Sequence, residues 1–181
     1  MTATRLAGHA AKIIRHYKRF HGGGPDGADL PYRLTASGAW AASLPAHLFY
    51  FFRKLRLGEG RLFIDLGSGD GVVACIAGLF IRTIGIEADT ELALQAGRSA
   101  RNLGLSGNVG FVCADFLTQR IREADYLYIY PDKPIDALEP LLQGWKGALL
   151  VYGPHFPPKR LIQADKLKCG RESLAIYRSR L

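Results

Sequence analysis

The sequence predicts an α/β fold built on a doubly wound, mostly parallel sheet of seven strands that ends in an antiparallel hairpin. Three observations carry this. From position 61 onward, apolar runs of strand length alternate with helix-like segments, the pattern of strand–helix–strand units. The stretch IDLGSGDG at 64–71 places three glycines directly behind the first of these runs. The last two runs, LIQADKLKC and ESLAIYRSR, are separated only by Gly170 and Arg171, the signature of a hairpin.

Each element follows in order. RLFIDL at 61–66 is a short strand entering the glycine loop, and GVVACIAGLF at 71–80 is a helix apolar on most sides. IRTIGIE at 81–87 is the second strand. TELALQAGRSARNLG at 90–104 is an amphipathic helix that Gly104 stops. NVGFVCA at 108–114 is the third strand, ADYLYIY at 124–130 the fourth and GALLVYG at 147–153 the fifth. A helix over 135–145 joins the fourth strand to the fifth. Before the sheet, residues 5–20 form a helix with Lys12, Arg15 and Arg19 on one face and Ile13, Tyr17 and Phe20 on another. HGGGPDGADLP at 21–31 is a loop, and a second helix covers 38–55 with Pro45 as a kink or restart. The chain thus divides into a basic, helical N-terminal extension, 1–56, and a domain, 57–181.

A length of 181 residues suits one domain with a short extension. The net charge is +8, and it is uneven: residues 1–56 hold nine basic and two acidic residues, against fifteen and fourteen in the rest. Cys75, Cys113 and Cys169 lie apart in apolar runs, and neither they nor the five histidines have metal-ligand spacing. Reduced core thiols and a cytoplasmic location are expected. No run reaches the roughly 18–20 apolar residues of a membrane span. The N-terminus is Arg-rich and acid-free before Asp26, as in transit peptides, but lacks their serines.

A glycine loop at the carboxyl edge of such a sheet is where a nucleotide-like cofactor binds. The dinucleotide fingerprint requires GxGxxG, yet here the glycines stand at 67, 69 and 71, and Val72 occupies the third required place. The charges argue further. Asp65 and Asp70 would repel a pyrophosphate in a partly desolvated cleft. S-adenosylmethionine (SAM) has no phosphate and carries a sulfonium and an ammonium against one carboxylate. The loop residues Gly67, Ser68 and Gly69 can cradle it, with Asp65 or Asp70 reaching its ammonium. Glu87, ending the second strand, can accept from both ribose hydroxyls, and Asp115 from the adenine amino group. Phe116 with Ile86 or Ala88 can sandwich the ring. Singly, each acid is as well read as a helix cap. Together, they follow successive strand ends at one sheet edge.

These residues resemble class I SAM-dependent methyltransferases, whose sheet is Rossmann-like. FIDLGSGDGVVA is similar to their first motif, IGIEAD to the acidic motif after the second strand, and VCADF to the adenine-contacting motif. ADYLYIYPD resembles the segment that faces the substrate. The match spans about 60–152 and implies cofactor contacts at Asp65, Gly67, Gly69, Glu87 and Asp115. More narrowly, LPYRLTASG at 30–38, a helix and DLGSGDG resemble small protein-lysine methyltransferases, both broad-specificity archaeal enzymes and mitochondrial relatives that modify an ATP synthase subunit. That resemblance implies that Tyr32, Thr35 and Ser37 cover the methionine end. Two departures stand out. PHFPPKR is too short for the usual helix after the fifth strand, and YPDKP is not the NPPY or DPPY of amino-directed nucleic-acid methyltransferases.

For the acceptor, Tyr126, Tyr128 and Tyr130 share one face of the fourth strand. The first two read as aromatic core, and Tyr130 reads as a residue lining the acceptor channel. Asp132 can attract a cationic lysine or act as a base, and otherwise caps the next helix. His155 lies in the loop after the fifth strand, on the same edge. The leading expectation is methyl transfer to a lysine amine of a protein. The alternatives are a small-molecule or RNA methyltransferase and a non-catalytic SAM-binding protein. The basic N-terminal helix reads as a solvated face, as a contact for an acidic protein or nucleic acid, or as a membrane-surface contact through Tyr17 and Phe20 beside the basic stripe.

Overall fold

In the computed structural model the described residues are 2–21, 32–35, 38–41 and 43–180. Side chains are described for 2, 4–18 and 43–180. Helix α1 (Ala3–His21) is followed by a two-stranded antiparallel hairpin, β1 (Tyr32–Thr35) and β2 (Gly38–Ala41), and by α2 (Pro45–Lys54). The main sheet contains β3 (Leu62–Leu66), β4 (Arg82–Glu87), β5 (Val109–Cys113), β6 (Tyr126–Ile129), β7 (Ala148–Tyr152), β8 (Ile162–Cys169) and β9 (Glu172–Arg178). Helix α3 (Val72–Ala77) joins β3 to β4, and α4 (Thr90–Leu103) joins β4 to β5. The strand order is β5-β4-β3-β6-β7-β9-β8, parallel up to β7 and antiparallel at β9 and β8. The seven-stranded sheet with its closing hairpin is the architecture expected. Successive connections run in opposite directions from β3, so a crevice opens beyond the carboxyl ends of β3 and β6.

Two expected helices are corrected. Residues Gly38–Ala41 are strand, and α2 starts only at Pro45, with Leu44 still extended at φ −71° and ψ 116°. Pro45 is in the first turn, where its missing N–H costs nothing, and it bars the helix from extending backwards. Over 135–145 there is no α-helix; turns surround one 3-10 segment, Glu139–Leu142. Ile135, Leu138 and Leu142 are buried as a helical stripe would be. Pro140 removes a donor in the middle, however, and Gly144 adopts φ 68°.

The two sheet faces are therefore covered differently. On one, Ile13 and Tyr17 of α1, Phe51 and Phe52 of α2, and α3 pack on Phe63, Tyr128, Leu150 and Tyr152. On the other, Ile121, Ala124, Ile135, Leu138, Leu142 and Trp145, all outside α-helices, pack on Leu66, Leu127, Ile129 and Leu149. Trp145 Nε1–H donates to the carbonyl of Ala124 at 3.0 Å, which satisfies its buried polar atom. The burial of each large apolar side chain is worth about 1.5–3 kcal/mol, so this face holds without regular helices. Edge strand β5 is thinly covered, and Cys113 is exposed there, which corrects the expectation of a core thiol; Cys75 is buried and Cys169 half-buried.

Candidate cofactor and acceptor cleft

Gly67, Gly69 and Gly71 have φ values of 73°, 52° and 86°, so all three positions need left-handed backbone. Gly71 is fixed by space as well, since an added Cβ would lie 2.6 Å from the Phe111 ring and 2.8 Å from Ala96 Cβ. The loop is held by its own amides. Those of Gly67 and Ser68 donate to the carbonyl of Ile86 at 2.9 and 3.0 Å, and Gly71 N–H donates to Ser68 at 2.9 Å. Gly69 N–H donates to Glu87 Oε2 at 2.7 Å, and Val72 N–H to Asp70 Oδ1 at 3.2 Å. These amides are spent internally, so the loop is a shaped wall rather than a nest of free donors for a phosphate.

Beyond it lies a cleft of about 430 Å³. Asp65, Gly67, Ser68, Asp70, Glu87, Ala88, Asp115, Phe116, Tyr130 and Asp132 all line it, and Gly69 does not. Asp65 is 1% exposed, and its Oδ2 has no hydrogen-bond partner among the described residues. Burial pushes its carboxyl well above the ordinary range; the Ala74 backbone amide opposes this, while Glu87 and Asp70 add to it. Ser68 Oγ is likewise buried without a partner. Glu87 is 9% exposed, and its second oxygen accepts from the Asp89 amide at 3.0 Å. Asp115 accepts from Leu117 N–H at 2.9 Å, so it is both a cap and a cleft residue. Asp89 caps α4, accepting from Glu91 and Leu92 at 2.9 and 3.0 Å.

Three buried carboxylates thus face one cleft, and Lys133 is the single basic residue among those described that line it. An anionic ligand would meet repulsion, whereas a cationic one would relieve it. The unpartnered Asp65 and Ser68 oxygens call for a polar ligand with donors. Among the described residues no group of His, Cys, Asp and Glu could hold a metal ion.

At the acceptor end, Tyr130 is half-buried with its ring 5.0 Å from that of Tyr152, and Asp132 is exposed at the mouth. Tyr126 is at the amino end of β6 and does not line the cleft. Tyr128, expected only as aromatic core, does pack against Phe52, Phe63 and Tyr152, but it also lines the cleft. Its hydroxyl pairs with Ser43 Oγ at 2.7 Å. Ser43 has no motif around it, so sequence reasoning missed it. His155 is in an exposed loop, does not line the cleft, and is 6.4 Å from Phe156 ring to ring. Tyr32 and Thr35 are on β1, but their side chains, and all of Ser37, lie outside the described residues.

No protein-family model matches the chain. No curated protein matches it in sequence. Solved structures do. An RNA methyltransferase from Salinibacter ruber, crystallised with S-adenosyl-L-homocysteine, aligns with a TM-score of 0.65 at 22% identity over 75% of this chain and 92% of that one. A methyltransferase from Geobacter sulfurreducens aligns with 0.61 at 16% over 99% and 98%. The M1A22 tRNA methyltransferase of B. subtilis aligns with 0.54 at 15% over 72% and 64%. The chain has the class I, Rossmann-like fold of SAM-dependent methyltransferases.

Proposed function

We propose that this protein is a SAM-dependent methyltransferase and that its acceptor is a lysine amine of a protein. The observation that carries the enzyme class is the set of acids at successive strand ends meeting in one cleft, with a buried Asp65 oxygen left open. Asp65 and Asp70 take the ammonium of the cofactor's methionine. Glu87 accepts from the ribose hydroxyls while its backbone bonds hold it in place. Asp115 accepts from the adenine amino group beside Phe116 and Ala88. Tyr32 and Thr35 cover the methionine end.

Bound SAM supplies an electrophilic methyl group on a positively charged sulfur. The chain's own residues then have to position and desolvate. Tyr130 and Tyr128 wall the path to the methyl carbon and exclude water, so the attacking nitrogen is confined in line. Asp132 attracts the lysine ammonium at the mouth and accepts the proton that must leave before the nitrogen lone pair can attack. The lysine reading draws on this acid beside an open mouth, on the 30–38 resemblance and on the lack of an NPPY-type tetrapeptide.

A second reading has RNA as the acceptor. Arg5, Lys12, Arg15 and Lys18 are exposed along α1, and no acid occurs before Asp26. Such a stripe suits a phosphate backbone, and two of the similar structures are RNA methyltransferases by name. The membrane-surface reading loses support, because Tyr17 faces the core instead of flanking the stripe. No described helix is long and apolar enough to cross a membrane.

The test is transfer of labelled methyl from SAM into a host lysate lacking this protein. Label that resists nuclease, is lost to protease and appears as methyl-lysine supports the first reading. Label in RNA, falling steeply with added salt, supports the second. Label in the small-molecule fraction would overturn both acceptors. SAM binding without transfer to any fraction would instead favour a non-catalytic SAM-binding protein.

A further inference from the structure

Tyr17 of helix α1 is 53 residues before Asp70 of the glycine loop in sequence, yet the two touch. The Tyr17 hydroxyl shares its one proton between two acceptors, the backbone carbonyl of Asp70 at 3.1 Å and Cys75 Sγ at 3.4 Å in the first turn of α3. Tyr17 is 1% exposed. Burial pushes its phenol well above the ordinary range, so the hydroxyl keeps its proton and remains a donor.

The first half of the glycine loop is tied to β4 by Gly67, Ser68 and Gly69, which bond Ile86 and Glu87. Asp70 sits beyond that tether, between two left-handed glycines, and its own carboxylate faces the cleft. A residue flanked in this way has a soft backbone. Val72 N–H holds the Asp70 carboxylate at 3.2 Å, and a bond from α1 to the Asp70 carbonyl fixes the peptide plane from behind, so the two together set where the carboxylate points. Helix α1 is itself anchored, since Ala10 and Ile13 are buried with Tyr17, and His16 Nε2 is 3.1 Å from Ser99 Oγ of α4.

We infer that Tyr17 is a positioning residue of the cofactor site, latching the second half of the glycine loop from α1 so that Asp70 is held ready for the ligand. Seen this way, the N-terminal helix completes the cofactor site as well as displaying charge. This inference rests on the methyltransferase reading for its ligand, though the latch itself can be tested without one.

The experiment compares the full-length protein with Tyr17→Phe, which keeps the ring in the core, and Leu142→Ala, a change in the buried core of the opposite sheet face, away from α1 and the loop. Amide hydrogen exchange is measured on the ligand-free proteins, and SAM affinity by calorimetry. The latch predicts faster exchange of the Gly71 and Val72 amides in Tyr17→Phe by roughly three- to tenfold, the worth of one hydrogen bond, with SAM bound more weakly by a similar factor. Leu142→Ala should lower the melting temperature at least as much while leaving both readouts within about twofold of the parent. Unchanged loop exchange in Tyr17→Phe would overturn the latch, as would equal effects in the two variants. Altered loop exchange with SAM binding absent even from the parent would leave the latch standing and refute the methyltransferase reading, so the two failures are separable.

Discussion

The cofactor half and the acceptor half of the cleft are built by different means. In the first, acids sit at the ends of β3 and β4 and just past β5, and backbone amides grip Glu87, Asp70 and Asp115. In the second, the wall is the segment 130–138, which has no regular structure, with Asp132 and Lys133 exposed. Strand ends are positioned by the whole sheet; a proline-interrupted loop is positioned by a few contacts. The contrast implies that the first half is preformed and intolerant of change, and that the second can vary in shape and specificity.

The difference can be broken from its rigid side first. Asp65→Ala should leave the protein folded and weaken SAM binding at least about 100-fold, because it removes a buried charge pair with the ligand; calorimetry checks this. Glu87→Gln should cost roughly tenfold, since one charge-assisted acceptor becomes neutral and the Gly69 bond weakens. On the adaptable side, Asp132→Asn and Tyr130→Phe should lower kcat/KM for the acceptor by about tenfold while the SAM dissociation constant stays put. An equal loss of SAM affinity in those variants would erase the distinction.

Protonation gives a smaller effect with a definite sign. Burial raises the Asp65 carboxyl well above its ordinary value. Between the ordinary carboxylate value and this raised one, the native apo protein binds more protons than the unfolded chain does. The contribution of Asp65 to stability is present at acid pH and is lost as pH climbs from the ordinary carboxylate range to the raised value. SAM affinity should run the other way, strengthening over that window as Asp65 ionises to meet the ammonium. Asp65→Asn should flatten both dependences and, at alkaline pH, raise apo stability by about 1 kcal/mol while impairing binding, a trade of stability against function. Melting curves from pH 4 to 9 test this.

Legibility in the sequence follows the same divide. The strands, the hairpin and the acids at the strand ends were readable because period, glycine spacing and charge are local signals that the sheet then aligns. The helix expected over 135–145 failed because Ile135, Leu138 and Leu142 have helical spacing whether or not Pro140 allows the hydrogen bonds. The strand at Gly38–Ala41 was hidden in an apolar run continuous with α2. Ser43 gave no signal and Tyr17 only that of an apolar helix face, since their meaning lies in partners, Tyr128 and Asp70, that are 85 and 53 residues away. The partners of the Gly67, Ser68 and Gly69 amides, Ile86 and Glu87 at the end of β4, are nearer in sequence, 18 residues for Gly69 and Glu87, but left no signal either.

The central claim is that three buried carboxylates make this cleft a site for a cationic nucleoside and not for a phosphorylated one. The most direct test is to titrate the purified protein with SAM and, separately, with NAD under the same conditions. The account predicts saturable one-to-one binding of SAM and no measurable heat with NAD. Binding of NAD, or SAM binding that survives Asp65→Asn unchanged, would contradict it.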